Sequence, residues 1–120
     1  MLEEKLSYQV IGSCMQVHSL LGPGLLEQCY HNGLFYELTK QKLKVEYNAP
    51  YTVQYDGHVV GEYFADLVVD KRILLELKSV KSFSDAHVAQ LLNYLHISGV
   101  HVGYLLNFQG IKLKYKRFVV

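Results

Sequence analysis

The hydrophobic period of this chain first changes near residue 43, and that change separates a helical opening from a sheet-forming middle. From Val45 onward apolar residues alternate with polar ones, and short polar turns interrupt the alternation twice. Asp56-Gly57 is a pair favoured by two-residue hairpins, because both turn positions there need a positive φ. It separates a strand over Val45–Tyr55, interrupted or bent at Pro50, from a strand over His58–Val69. Asp70-Lys71-Arg72 forms the next turn, and Ile73–Val80 follows as a mostly apolar strand.

The flanks complete the architecture. Leu6, Val10, Cys14, Val17 and Leu21 recur at helical spacing over Glu4–Leu21, and Gly22-Pro23-Gly24 then breaks the chain. A second helix is expected from Leu25 to about Lys42, with Leu26, Tyr30, Leu34 and Leu38 as its apolar stripe. Ser82 or Ser84 can cap a third helix that ends at Gly99, with Val88, Leu91, Leu92 and Leu95 buried. His101–Phe108 reads as an apolar strand and Lys112–Val120 as a final alternating one. The order ααβββαββ implies an α/β (α+β) layered domain with a mixed sheet. At 120 residues a single domain spanning 1–120 is expected.

Composition narrows the function classes. Half of the residues are hydrophobic, so the chain can bury a core, and the formal net charge of +1 argues against a protein that coats nucleic acid by bulk charge. A sum leaves a local basic groove open. There is no apolar run of about 18 residues and no leader-like start, so a soluble, cytoplasmic protein without membrane contact is expected. Cys14 and Cys29 sit in apolar helical stretches and are expected to be buried, reduced thiols. The six histidines show no zinc-ligand spacing.

Asp66 to Lys78 carries the chemistry. Glu76 and Lys78 are two apart on one strand and therefore point to the same side of the sheet. If Asp70–Arg72 is a three-residue loop, Val69 pairs with Ile73 and Asp66 falls opposite Glu76. A two-residue loop would instead turn Asp66 to the other face. In the first register the two carboxylates have Cβ atoms about 4.5–5.5 Å apart, and directly opposed like charges are destabilising. A divalent cation would neutralise them best, and two oxygen ligands suit Mg²⁺, which keeps waters and shares a substrate phosphate. Lys78 beside them can orient a water or stabilise charge on phosphorus. The same residues are also compatible with an ordinary surface charge cluster on a hairpin.

Asp66 followed by Glu76-Leu77-Lys78 resembles the core motif of the PD-(D/E)XK nuclease superfamily, an Asp and then (Asp/Glu)-x-Lys. Gly24-Leu25-Leu26-Glu27-Gln28-Cys29-Tyr30 is similar to the signature of its GxxExxY family. Further matching runs are His18 with Leu21–Gly24, Ala65-Asp66, Ala89–Leu95, Gly103, Asn107-Phe108 and Lys116-Arg117. Gly33 and Ser79 stand where that family usually has alanine. The resemblance implies a restriction-endonuclease-like fold and a Mg²⁺-dependent phosphodiesterase site, with Mn²⁺ as a substitute. By it, Asp66 and Glu76 are metal ligands, Glu27 is an additional acidic ligand and Lys78 is the catalytic lysine. Gln90 and Tyr94 match a glutamine-tyrosine helix.

Each supporting residue has a plainer alternative. Glu27 can simply favour the positive end of a helix dipole. Gln90 and Tyr94 share a helix side roughly opposite the Val88/Leu92/Leu95 stripe, so they are either a solvated face, packing against a second layer, or part of the site. His18 can be a satisfied helix histidine. Lys112, Lys114 and Lys116 either protect an edge strand or contact phosphates. The leading expectation is metal-dependent cleavage of DNA or RNA, acting as a homodimer. The rival is a non-catalytic binding module, or an accessory subunit, on the same fold.

Overall fold

A computed structural model describes all 120 residues. Its helices and strands are α1 (Glu4–Leu21), α2 (Glu27–Lys40), β1 (Val45–Tyr55), β2 (His58–Val69), β3 (Ile73–Lys78), α3 (Asp85–Ser98), β4 (Val102–Asn107) and β5 (Lys114–Val119). The order is ααβββαββ, as the hydrophobic pattern implies. One five-stranded sheet runs β1-β2-β3-β4-β5. Neighbours are antiparallel except β3 and β4, which are parallel because α3 crosses over between them.

The centre of the sheet is covered on both faces, and β3 and β4 are buried nearly throughout. Odd-numbered β3 residues Ile73, Leu75 and Leu77 join Leu6, Val10, Cys14, Tyr30, Leu34 and Leu38 in the core under α1 and α2. Even-numbered Leu74, with Leu105, packs against Leu91 and Leu95 of α3. Period two along the strands thus divides the apolar residues between two helical layers.

Local chemistry sets the boundaries. Of the two candidate serines, Ser84 caps α3: its hydroxyl accepts from the His87 N–H at 3.2 Å, and the His87 ring accepts from the Ser84 N–H. Gly99 ends the helix with φ 74°. α2 begins at Glu27, two residues later than expected, because Leu26 is extended and 80% exposed. Cys29 is exposed, against expectation, because it lies off the Tyr30/Leu34/Leu38 stripe. Cys14 is buried, and burial pushes its thiol up. Tyr30 closes the turn between the first two helices. Its hydroxyl donates to the Gly22 carbonyl at 2.6 Å and accepts from the Leu25 N–H, while its ring stacks on Phe108. His18 is a satisfied core histidine, hydrogen-bonded to the Gly110 carbonyl at 2.8 Å.

Three further expectations shift. Leu92 is exposed, and α3 buries Leu91, Tyr94 and Leu95 instead. Tyr94 therefore belongs to the buried side of the helix rather than facing away from it. β3 ends at Lys78, because from Val80 the Asn107 side chain replaces a backbone partner: it donates to the Val80 carbonyl at 2.8 Å and accepts from the Val80 N–H. β5 begins at Lys114, so Lys112 precedes the strand. No helix is long and apolar enough to cross a membrane.

Gly103 marks the closest approach of α3 to the sheet. A Cβ there would meet both Leu95 methyls at 3.0 and 3.1 Å and a Leu91 methyl at 3.2 Å. Both leucines are fully packed. Gly103→Ala is therefore expected to destabilise the fold by about 1–3 kcal/mol through overpacking, read as a lower urea or thermal midpoint. An unchanged midpoint would show that the leucines can give way.

Candidate active site

The site forms where β2 and β3 part. The turn between them is a three-residue loop: Val69 pairs with Ile73, and Asp70 and Lys71 both take positive φ. Regular pairing runs from there to Leu67 opposite Leu75 and stops. The next pair in this register is Asp66 and Glu76. Their side chains replace the ladder. The Asp66 N–H donates to Glu76 Oε2 at 3.0 Å, and the Leu77 N–H donates to Asp66 Oδ2 at 2.8 Å. Each carboxylate thus holds a backbone donor of the opposite strand.

Strict alternation would place Asp66 on one face. The structure departs from this, because Ala65 packs on the α3 side whereas Leu67, two residues on, packs under α1 and α2. On β1 the same change of side falls between Tyr47 and Ala49, with Asn48 between them at φ 50°. The strand pair twists over at this level, and Asp66 reaches Glu76 through the fork. Its backbone is held from behind: His31 of α2 is hydrogen-bonded to the Asp66 carbonyl at 2.9 Å, and its ring stacks on Tyr47 at 4.1 Å.

The α3 side supplies the remaining groups. Lys78 takes part in none of the ion pairs of the chain. Its ammonium faces the Gln90 side-chain oxygen at 3.5 Å, and the Gln90 nitrogen lies 3.4 Å from the Tyr94 hydroxyl. Both contacts are long and weak. Tyr94 also meets the Tyr63 ring edge-on at 5.9 Å. Burial, then the charges of Glu76 and Asp66 and the neighbouring Tyr63, raise the Tyr94 pKa and keep its hydroxyl protonated.

Asp66, Glu76, Lys78, Gln90 and Tyr94 are thus brought together. Glu27 is not: it is exposed on the first turn of α2 and does not join the carboxylate pair in a three-ligand group. Its helix start is nevertheless tied to the end of β3, where the Ser79 hydroxyl donates to the Leu25 carbonyl at 3.2 Å. Glu27 also lies one turn before His31, on the same side of α2. His31 was not apparent from sequence patterning, although its i, i+4 spacing from Glu27 was a usable signal. Asn107, which fixes the chain beyond Lys78, was visible only within the matching runs.

Glu76 is 3% exposed, and its charge is therefore expensive. Burial first, and the Asp66 carboxylate second, push its pKa up to about 9, against the opposing pull of the Asp66 N–H and of Lys78. Near neutral pH the pair shares its space by keeping a proton on Glu76. Two carboxyl groups held side by side, one of them buried, are hard oxygen donors of the kind a divalent cation would take.

A sign follows for stability. The folded protein holds the Glu76 proton more tightly than the unfolded chain, whose glutamate sits near 4.5. The stabilisation is complete below pH 4.5 and is lost as pH rises toward 9. Glu76→Gln, which mimics the protonated side chain, is expected to raise the metal-free unfolding midpoint at pH 8 and to leave it unchanged at pH 4. Equal midpoints for parent and variant at both pH values would remove the buried-charge account.

Residues 4–118 match the model of the PD-(D/E)XK nuclease superfamily. No curated protein sequence matches the chain. Among solved structures, the crystal structure of SSO0001 is similar with a TM-score of 0.60 and 22% identity, over 74% of this chain and 47% of that one. The alkaline exonuclease LHK-Exo from Laribacter hongkongensis is similar with a TM-score of 0.52 and 10% identity, over 71% and 51%. The chain spans about half the length of each, and the likeness is one of fold. With the family match running from α1 through β5, the chain belongs to the PD-(D/E)XK nuclease superfamily.

Proposed function

We propose that the protein is a metal-dependent nuclease that hydrolyses phosphodiester bonds of nucleic acid, with Mg²⁺ as its metal and Mn²⁺ able to replace it. The carrying observation is the fork at which two opposed carboxylates meet beside an ammonium that has no ion-pair partner. Superfamily membership and the fold shared with a protein named as an alkaline exonuclease support the reading. The Gly24–Tyr30 run supports placing it in the GxxExxY branch.

Asp66 and Glu76 are the residues that would hold the metal, which when bound lowers the pKa of a coordinated water and offsets charge on the phosphate. The rest of the work falls to the chain itself. Hydrolysis joins a water oxygen to phosphorus and breaks the bond to the leaving oxygen; the proton lost by that water passes to bulk solvent, and the leaving oxygen takes one from solvent. Lys78 is free to orient the water and to stabilise negative charge on the phosphoryl oxygens. Gln90, facing Lys78 and Tyr94, orients the ammonium. Tyr94 remains a neutral donor beside the acids. Glu27, at the start of α2 and outside the carboxylate pair, is the additional acidic residue of the Gly24–Tyr30 run. His31 keeps the Asp66 backbone in register, so that the carboxylate arrives without a search.

Two measurements test this. Lys78→Ala should lower the cleavage rate of labelled DNA or RNA by about 10²–10³-fold with little change in affinity, since one charge among several adds little to binding. Asp66→Asn and Glu76→Gln should remain folded while losing the rise in unfolding temperature that Mg²⁺ or Mn²⁺ gives the parent. A parent protein that binds nucleic acid but never cleaves it with either metal, unaffected by Lys78→Ala, would identify a non-catalytic module.

A further inference from the structure

The net charge of +1 conceals a steep asymmetry. Beyond Leu77 the chain carries Lys78, Lys81, Lys112, Lys114, Lys116 and Arg117 against a single acid, Asp85. Arg117 is committed elsewhere: it donates to the Ser7 and Tyr104 hydroxyls and to the Leu2 carbonyl, tying β5 to α1. Lys112 lies before β5. Lys81, Lys114 and Lys116 converge on one open groove of about 580 Å³, together with Ser82 and Phe83. No carboxylate lines this groove, and none of the three ammoniums is in an ion pair.

Sheet register places the groove relative to the acids. Glu76 pairs with Leu105 and Leu105 with Lys116. Lys78 pairs with Asn107 and Asn107 with Lys114. Directly paired residues share a face, and Leu105 packs on the α3 side, so Lys114 and Lys116 stand on the face that carries Glu76 and Lys78. Two strand spacings separate the rows, about 10 Å, which is about three nucleotides at the 3.4 Å rise of a stacked strand. Protection of an edge strand accounts for lysines along β5. It does not account for Lys81, which comes from the loop between β3 and α3 and meets the same hollow.

We infer that this groove is a phosphate subsite for the polynucleotide backbone, holding a phosphate a few nucleotides away from the one cut at Asp66 and Glu76. The inference rests on the nuclease reading for its substrate class. The three ammoniums repel one another in the free protein, and a backbone phosphate relieves that repulsion while releasing counterions. Phe83 offers an aromatic wall on which a sugar or base of the same strand can rest. Lys78 belongs to the chemistry, and the groove lysines belong to holding the strand.

The test is fluorescence anisotropy with a short labelled single-stranded DNA oligonucleotide in EDTA, over a series of salt concentrations. The proteins are the parent, the groove variant Lys81→Ala/Lys114→Ala/Lys116→Ala, and a charge-matched control, Lys5→Ala/Lys40→Ala/Lys44→Ala. The groove variant should bind at least tenfold more weakly, with a salt slope flatter by about 0.7 per lost contact. The control should follow the parent. With Mg²⁺ present, the groove variant should raise KM and leave kcat within a few-fold, the reverse of Lys78→Ala. Equal weakening by groove and control variants, or an unchanged affinity and slope in the groove variant, overturns the subsite. If the parent still cleaves in that case, the nuclease reading stands without it. A parent that neither binds nor cleaves the oligonucleotide overturns both.

Discussion

Two carboxylates that repel each other sit where the central hairpin stops pairing, and much of the surrounding structure restrains that repulsion. Asp66 and Glu76 occupy the position of the next antiparallel pair beyond Leu67 and Leu75. Each accepts a backbone hydrogen bond from the opposite strand, so the fork is held partly open and partly closed by the two carboxyl groups themselves. Such an arrangement survives only on a rigid backbone. His31 grips the Asp66 carbonyl, Ser79 holds the Leu25 carbonyl, and Asn107 with the Phe108 N–H anchors the chain on either side of Ser79. Leu75 and Leu77, flanking Glu76, are fully buried under α1 and α2. The pair cannot separate by moving a strand, and burial first, with the Asp66 charge second, raises the proton affinity of Glu76.

The parallel step from β3 to β4 determines what else reaches the acids. A parallel pair needs a long crossover, and here α3 supplies it. The crossover lays α3 over the face that carries Glu76 and Lys78. Leu91 and Leu95 seat it against Gly103, where the missing Cβ allows close approach. With the helix so seated, Gln90 falls beside Lys78 and Tyr94 beside the acids. An antiparallel connection would have left that face to another element, and the glutamine-tyrosine pair with no role near the carboxylates.

Charge is also sorted across the sheet. The β1–β2 hairpin from Val45 to Val69 carries Glu46, Asp56, Glu62 and Asp66 and no lysine or arginine. The opposite edge, β5 with its neighbouring loops, carries most of the cations beyond Leu77. Glu76, on the central strand β3, lies between these edges. On the α3 side of the sheet the lysines of β5 thus give a polyanion an attractive border along one edge.

Local chemistry made much of this legible in one dimension. The change of period near residue 43, the Asp56-Gly57 turn and the helical spacing before Gly99 gave the element order, and the Asp70–Arg72 loop put Asp66 opposite Glu76 on condition that all three residues form the turn. These depend on neighbours a few residues apart, where φ preferences and side-chain alternation act directly. Other features depended on contacts between distant segments. The stripe assigned to α3 included Leu92, which is exposed, because a 3.6-residue period leaves a wide arc and only the approach to Gly103 selects which edge is buried. Lys112 dropped out of the basic row and Lys81 entered it, since the groove is shaped by the loop after β3 meeting β5. His31 and the twist at Asn48 and Asp66 could not be read from periodicity, for they arise where α2 presses on a strand pair that changes sides. The sequence by itself determined which residues could pair within hairpins and helices. The tertiary structure decided which helix covers which face, because that choice is settled by the packing of whole layers and not by any single stretch of chain.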